Sequence, residues 1–325
     1  MSASAAGPST GTAPPASAGA VSEANEEAFD DDATPLASEA QDHVDLARRV
    51  HATSALPEPA QTRVFVVANQ KGGVGKTTTA VNVAAAFAIK GLRVLVIDLD
   101  PQGNASTALR IDHSEGTPGV YEALVDATDL DELVRPAPDL PGLTVLPASI
   151  DLAGAEIELV SLVARETRLD NALQGYLEDC EDAGDRIDYV LIDCPPSLGL
   201  LTVNALVAGR EVLIPIQCEY YALEGLGQLV RNIDLVRRHL NPNLEITTIL
   251  LTMHDARTRL SANVAEEVRK FFGDSVLRTA IPRSVRISEA PSYQQTILTY
   301  DPTSSGALSY LEAAREITDT ARKDD

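Results

Sequence analysis

One segment constrains the fold of this 325-residue chain more than any other. A β-branched run from Val64 to Ala68 leads through Asn69 into Gln70-Lys71-Gly72-Gly73-Val74-Gly75-Lys76-Thr77-Thr78, and the chain then becomes rich in Ala and Val. Glycines at 72, 73 and 75 let the backbone turn sharply and present consecutive N–H groups, while the helix that follows brings the positive end of its dipole to the same place. Strand, glycine loop and helix in that order form an anion cradle suited to phosphate oxygens. Residues from Gly72 to Thr78 line it, with the Lys76 ammonium placed to bridge the β- and γ-phosphates and the Thr77 hydroxyl to ligate magnesium.

Such a loop needs an open sheet with helices on both faces, and the rest of the chain is patterned to supply one. Further strands are expected at Arg93 to Asp98, Leu143 to Pro147, Tyr189 to Asp193, Glu211 to Ile216, Ile246 to Met253 and, shorter, Val276 to Thr279. Helical periodicity marks Thr77 to Lys90, Leu152 to Leu177, Leu223 to His239, Ala262 to Phe272 and Gly306 to Arg322. With no internal repeat and no second core, residues 61–325 read as one doubly wound, mostly parallel α/β domain of the P-loop NTPase type. The longer connections, Ile111 to Gly116 and Arg283 to Thr303, are where surface function is expected.

Residues 1–60 are different in kind. Ala, Ser, Pro and Gly dominate, and Glu26, Glu27, Asp30, Asp31 and Asp32 form an acidic knot. This composition is expected to give a disordered acidic arm, with room for a short helix from Asp42 to Val50.

Two further elements place carboxylates at strand ends, where they face a bound phosphate chain. One is Asp98-Leu99-Asp100-Pro101-Gln102-Gly103, in which a carboxylate can orient an attacking water or support a magnesium shell. Proline and glycine there would also make an ordinary turn. The other is Tyr189-Val190-Leu191-Ile192-Asp193-Cys194-Pro195-Pro196, an apolar strand whose terminal Asp193 is a magnesium candidate. Cys194 reads as a small core residue, and with Cys180 and Cys218 it lacks metal-ligand spacing, which fits reduced thiols.

The formal charge of −22 argues against a simple electrostatic nucleic-acid binder. No apolar run approaches the roughly 18 to 20 residues that span a bilayer, and no Lys or Arg precedes Arg48 to begin a secretory signal, so a cytoplasmic protein is expected.

The phosphate loop has Gln70 where the general G-x-x-x-x-G-K-[ST] pattern has glycine, and a second lysine, Lys71, beside it. In this it resembles the deviant Walker A ATPases, which carry K-G-G-x-G-K-[ST]. The resemblance implies that Lys71 reaches across a homodimer interface to the partner's phosphates and joins Lys76 in catalysis. It implies too that Asp100 has the hydrolytic role, that Asp98 supports the loop or the magnesium shell, and that Asp193 and Thr77 hold Mg2+ with ATP. Ala68-Asn69-Gln70, Leu99 to Ala105, Glu219 to Gly225 and Thr252 to Tyr300 further resemble the ParA/Soj chromosome-partition ATPases, over residues 63 to 320 or so.

Two other branches fit less well. A MinD-like membrane switch ends in a basic amphipathic helix with bulky apolar residues, whereas this chain ends Thr318-Asp319-Thr320-Ala321-Arg322-Lys323-Asp324-Asp325. An iron protein needs paired cluster cysteines, and nothing pairs with Cys194. The partition resemblance implies an ATP-bound dimer that binds nucleoid DNA non-specifically and is stimulated by a ParB-type centromere-binding partner, with no membrane association. Between Thr252 and Ala290 the bases outnumber the acids, seven to five, against the trend of the chain. There Arg257 and Arg286, with Arg259 and Lys270 as additions, are the DNA candidates. Met253, Pro282 and Arg283 are the adenine candidates, and Arg283 could serve either base or DNA.

Overall fold

The computed structural model describes residues 55–219 and 222–321. In chain order its elements are β1 (Arg63–Val67), α1 (Lys76–Ile89), β2 (Val94–Asp98), α2 (Asn104–Ala108), α3 (Val120–Val125), α4 (Leu130–Leu133), β3 (Arg135–Pro136) and β4 (Leu143–Leu146). There follow α5 (Leu152–Glu158), α6 (Arg168–Asp182), β5 (Tyr189–Asp193), α7 (Leu200–Ala208), β6 (Glu211–Gln217), α8 (Ala222–His239), β7 (Glu245–His254) and α9 (Arg259–Phe272). The last are β8 (Val276–Pro282), α10 (Val285–Glu289), α11 (Ile297–Tyr300) and α12 (Ser305–Ala321).

The strands form one sheet in the order β3-β4-β2-β5-β1-β6-β7-β8. All pairs are parallel except β3 with β4. The central strands are apolar almost throughout because both faces of the sheet are covered. Val64 and Val66 point into one core, shared with α5 to α9; Phe65 and Val67 point into the other, shared with α1, α2 and α12. Alternate side chains of β2 and β5 divide in the same way.

α1 is enclosed on all sides, between the sheet and α12. Its alanines at 80, 84, 85, 86 and 88 keep it thin enough for that position, and Phe87 supplies bulk by stacking on Tyr189 at 4.1 Å between ring centroids. Asn82, buried in the same helix, accepts from the Ile297 amide at 2.8 Å and so ties α1 to α11. At the amino-terminal edge of the sheet Arg63 makes a two-pronged ion pair with Glu211, both contacts at 2.6 Å, and donates to the Ile317 carbonyl. That joins β1, β6 and α12 with charge-assisted bonds.

Several expectations are corrected. The single helix from Leu152 to Leu177 is two: α5 runs into a short 3₁₀ turn, Leu162 is extended, Ala164 takes φ 53°, and α6 begins at Arg168. The break is held from outside by buried Asn204 of α7, whose amide donates to the Arg165 carbonyl while its oxygen accepts from the Leu169 amide. Periodicity along one segment cannot foresee a bond supplied by another helix. The Arg283 to Thr303 connection contains α10, α11 and a 3₁₀ turn. The edge strand β3 was unforeseen, being two residues long and carrying the proline tolerated only at an edge.

Most of the acidic arm, including Asp42 to Val50, lies outside the described residues. Its last few residues pack: Leu56 is buried in the α1 core, and Arg186 donates to the Pro59 and Ala60 carbonyls.

Candidate functional site

The glycine loop leaves the carboxyl end of β1, between β5 and β6, and is shaped from both sides. Gly73 and Gly75 take φ of 73° and 88°, the left-handed region in which a side chain is strained. Asn69 spans the entrance, donating to the Pro215 carbonyl at 2.8 Å and accepting from the Lys71 amide at 3.0 Å. On the far side the buried Thr252 hydroxyl of β7 donates to the Val74 carbonyl at 2.8 Å. Lys76, at the start of α1, is buried and curls back so that its Nζ donates to the Lys71 carbonyl at 3.3 Å. Burial holds its ammonium below the ordinary lysine range, against the pull of the Asp193 and Asp100 carboxylates.

Asp98 and Asp193 are register partners on adjacent strands, both fully buried. Their surroundings differ. Asp98 Oδ2 accepts from both the amide and the hydroxyl of Ser106, at 2.8 Å each, and Oδ1 accepts from the Asp100 amide. Burial still raises its pKa to about 6, opposed by those hydrogen bonds. Asp193 has no hydrogen-bond partner on either carboxylate oxygen among the described residues. Burial first, then the nearby Asp98 charge, push its pKa well above the usual carboxylate value, while the Thr77 hydroxyl and Lys76 act the other way. A buried carboxylate with empty lone pairs beside a hydroxyl offers oxygen ligands that fit a hard divalent cation. Asp98, its oxygens already taken, fits the supporting role better than direct ligation.

Asp100 is only partly buried, at the head of a turn closed by the Gly103 amide on its carbonyl at 2.8 Å; its Oδ1 accepts from the Gln102 amide. Lys71 sits at the rim, with Nζ 3.4 Å from Glu219 Oε2 and its side chain 37% exposed. Glu219 also meets Arg283 at 3.4 Å and accepts from Gln217 at 2.6 Å. Met253, Pro282 and Arg283 come together where β7 and β8 end: His254 pairs with Pro282, and the Arg283 amide donates to the His254 carbonyl at 3.0 Å. Met253 itself takes φ 50° at an irregularity in the β7–β8 pairing. Cys194 is buried and its thiol pKa is pushed up by burial, as a core residue should be.

The DNA candidates divide into two places. Arg257, Arg259 and Arg286 lie with Arg283 around the carboxyl ends of β7 and β8, all exposed. Arg257 forks onto Asp255, and Arg286 lies 3.8 Å from Asp301 and over the Tyr300 ring. Lys270 is about 16 Å farther along α9, at 1.5 Å of rise per residue, and is paired with Glu266 at 2.8 Å. The structure separates it from the other three.

Sequence reasoning missed two residues that shape the site from outside, Thr252 at the glycine loop and Ser106 at Asp98. Thr252 has a signal, a hydroxyl in the otherwise apolar run Ile249-Leu250-Leu251-Thr252, and its buried oxygen needed a partner. Ser106 has none beyond its place two residues into a helix.

Among the described residues no helix is long and apolar enough to cross a membrane, and no cluster of His, Cys, Asp and Glu stands ready to hold a metal by itself. A family model described as an AAA domain matches residues 62–246. The sporulation initiation inhibitor protein Soj of Bacillus subtilis is 52% identical over 255 residues, covering 78% of this chain and 98% of that protein. The chromosome partitioning protein ParA of Caulobacter vibrioides is 51% identical over 256 residues, covering 78% and 93%. Among solved structures, a cobyrinic acid a,c-diamide synthase from Mycobacterium smegmatis with bound ADP and magnesium superposes with a TM-score of 0.69 at 38% identity, covering 82% and 97%. Two relatives matched at about half of all positions and over nearly their whole length place the chain, with its parallel sheet and phosphate loop, in the Soj/ParA family of chromosome-partitioning ATPases.

Proposed function

We propose that this protein is a magnesium-dependent ATPase that acts as a dimeric switch in chromosome or plasmid partition. The observation that carries the reading is the buried, unpartnered Asp193 carboxylate at the foot of the glycine loop, beside Thr77 and Lys76. In that position Asp193 and Thr77 would hold magnesium, which when bound neutralises charge on the nucleotide phosphates. Backbone amides from Gly72 to Thr78 bind and orient the phosphate chain. Lys76 moves from the Lys71 carbonyl to the phosphates, exchanging a neutral acceptor for an anionic one. Asp100 orients the attacking water from its turn.

Lys71 completes the site in a second copy. Its bond to Glu219 is long and half-solvated, so it costs little to break. Closing two subunits face to face also brings together two sets of Arg257, Arg259 and Arg286, which turns an acidic monomer into a conditional binder of nucleoid DNA. A ParB-type partner would speed hydrolysis and so time release, and the intrinsic rate is slow. Relatives at about 50% identity named for partition favour this over the synthase activity named for the 38% neighbour.

The deciding measurement is DNA binding by the full chain with ATP, with ADP and without nucleotide. Binding with ATP alone is expected, and equal binding in all three states would refute the gating. Lys76→Ala should abolish nucleotide binding, and Asp100→Ala should hold the dimer on DNA. Co-sedimentation with liposomes tests a MinD-like membrane switch, and turnover with and without the partner tests an ATP-gated scaffold in which hydrolysis is incidental.

A further inference from the structure

We infer that His113 is a positioning residue for hydrolysis, clamping the Asp100 turn from outside through a hydrogen-bond chain that ends on the Gly103 carbonyl. This rests on the reading of Asp100 as the residue that orients water.

The turn from Asp98 to α2 is held at two points. On the buried side Asp98 takes both donors of Ser106. On the outer side the Thr107 hydroxyl donates to the Gly103 carbonyl at 3.0 Å and meets His113 Nε2 at 2.8 Å. A hydroxyl has one proton to give. Since Thr107 gives it to Gly103, it accepts from His113, and the imidazole proton is therefore on Nε2. The Nδ1–Cε1 edge of the ring lies over Gly103, where an added Cβ would stand 2.5 Å from Nδ1 and 2.8 Å from Cε1. Gly103, at φ 62°, caps α2 with no side chain of its own, and its amide closes the turn onto Asp100. The imidazole occupies the space a side chain there would fill. Ring contact and hydrogen bond thus fix the same residue, three positions after Asp100.

His113 belongs to the connection Ile111 to Gly116, outside the core. It lines an open hollow of about 420 Å³ with Arg110, Ser114 and Gln294, so its bond to Thr107 can be removed without opening the interior. Displacing a water-orienting carboxylate by a fraction of an ångström costs rate rather than affinity.

The test is steady-state ATP turnover of the full-length His113→Ala, His113→Phe and His113→Gln proteins beside Asp100→Ala. Alanine, which loses both contacts, and phenylalanine, which keeps a ring but cannot donate, should lower kcat roughly tenfold with KM for ATP within about twofold. Glutamine, which restores an N–H for Thr107, should recover most of the rate, and Thr107→Val should reproduce the loss. Melting temperatures should stay close to wild type throughout. Wild-type kcat in His113→Phe while Asp100→Ala is inactive would overturn the inference, as would equal losses in all three His113 variants accompanied by a fall in melting temperature. Full turnover by Asp100→Ala would instead remove the reading of Asp100 on which it stands.

Discussion

The Thr252 hydroxyl, on a strand 178 residues away in sequence, donates to the Val74 carbonyl in the middle of the glycine loop. The bond is buried. Thr252→Val keeps the volume and leaves the Val74 carbonyl unpaired, which costs about 1 to 3 kcal/mol. Part of that cost falls on the loop's bound shape, so the ATP dissociation constant should rise by about tenfold or more, measured by nucleotide titration.

Asp193→Asn should stabilise the nucleotide-free protein. Burial holds the folded-state pKa of Asp193 well above that of an ordinary aspartate, so across the interval between them the folded chain holds more protons than the unfolded one. Its contribution to stability therefore falls as pH rises. Urea unfolding between pH 4 and 8 should show the variant gaining on wild type with rising pH and converging with it near pH 4. Magnesium and ATP should close the gap by stabilising wild type alone.

Gly119→Ala should destabilise through contact rather than dihedral strain. Gly119 is extended, at φ −167°, but an added Cβ would meet the Pro147 carbonyl oxygen at 2.1 Å. The Val120 amide donates to that same oxygen, so the backbone cannot simply retreat. A cost of about 1 to 3 kcal/mol is expected, several degrees in thermal melting.

DNA affinity in ATP should fall steeply with salt, and the slope identifies the contacts. Arg257→Ala and Arg286→Ala should each reduce the slope of log affinity against log salt by about one. Lys270→Ala should leave it unchanged, because that ammonium is paired with Glu266 and lies at the other end of α9.

Removal of residues 1–54 tests the arm without removing Leu56 or the carbonyls that Arg186 holds. If the arm's acids compete for the arginine cluster, DNA binding in ATP should tighten. Unchanged affinity in a mobility assay would dismiss the competition.

The legible parts of this protein are those in which a residue's own neighbours in sequence determine its role. Glycines that turn a loop, valines buried on both faces of a strand and aspartates at strand ends all announce themselves locally. Illegible parts depend on a distant partner. Asn204 splits a segment that reads as one helix, Ser106 gives both its donors to one oxygen of Asp98, and Glu219 holds Lys71 and Arg283 together. The position of Lys270 was hidden for the same reason: spacing along the chain groups it with the arginines, and the helix that begins at Arg259 carries it away from them.

Enclosure of α1 on every side sets how this molecule can answer its ligand. Interiors packed to crystal-like density do not accommodate a sliding rod, so the helix behind the glycine loop works as a fixed axle. Rotation or release has to be expressed by parts mounted around it: the Asp100 turn, the segment after Asp193 and the lysine at the rim. A change of nucleotide then costs a few surface bonds and leaves the core as it was, a division of labour suited to a component that must cycle many times without unfolding.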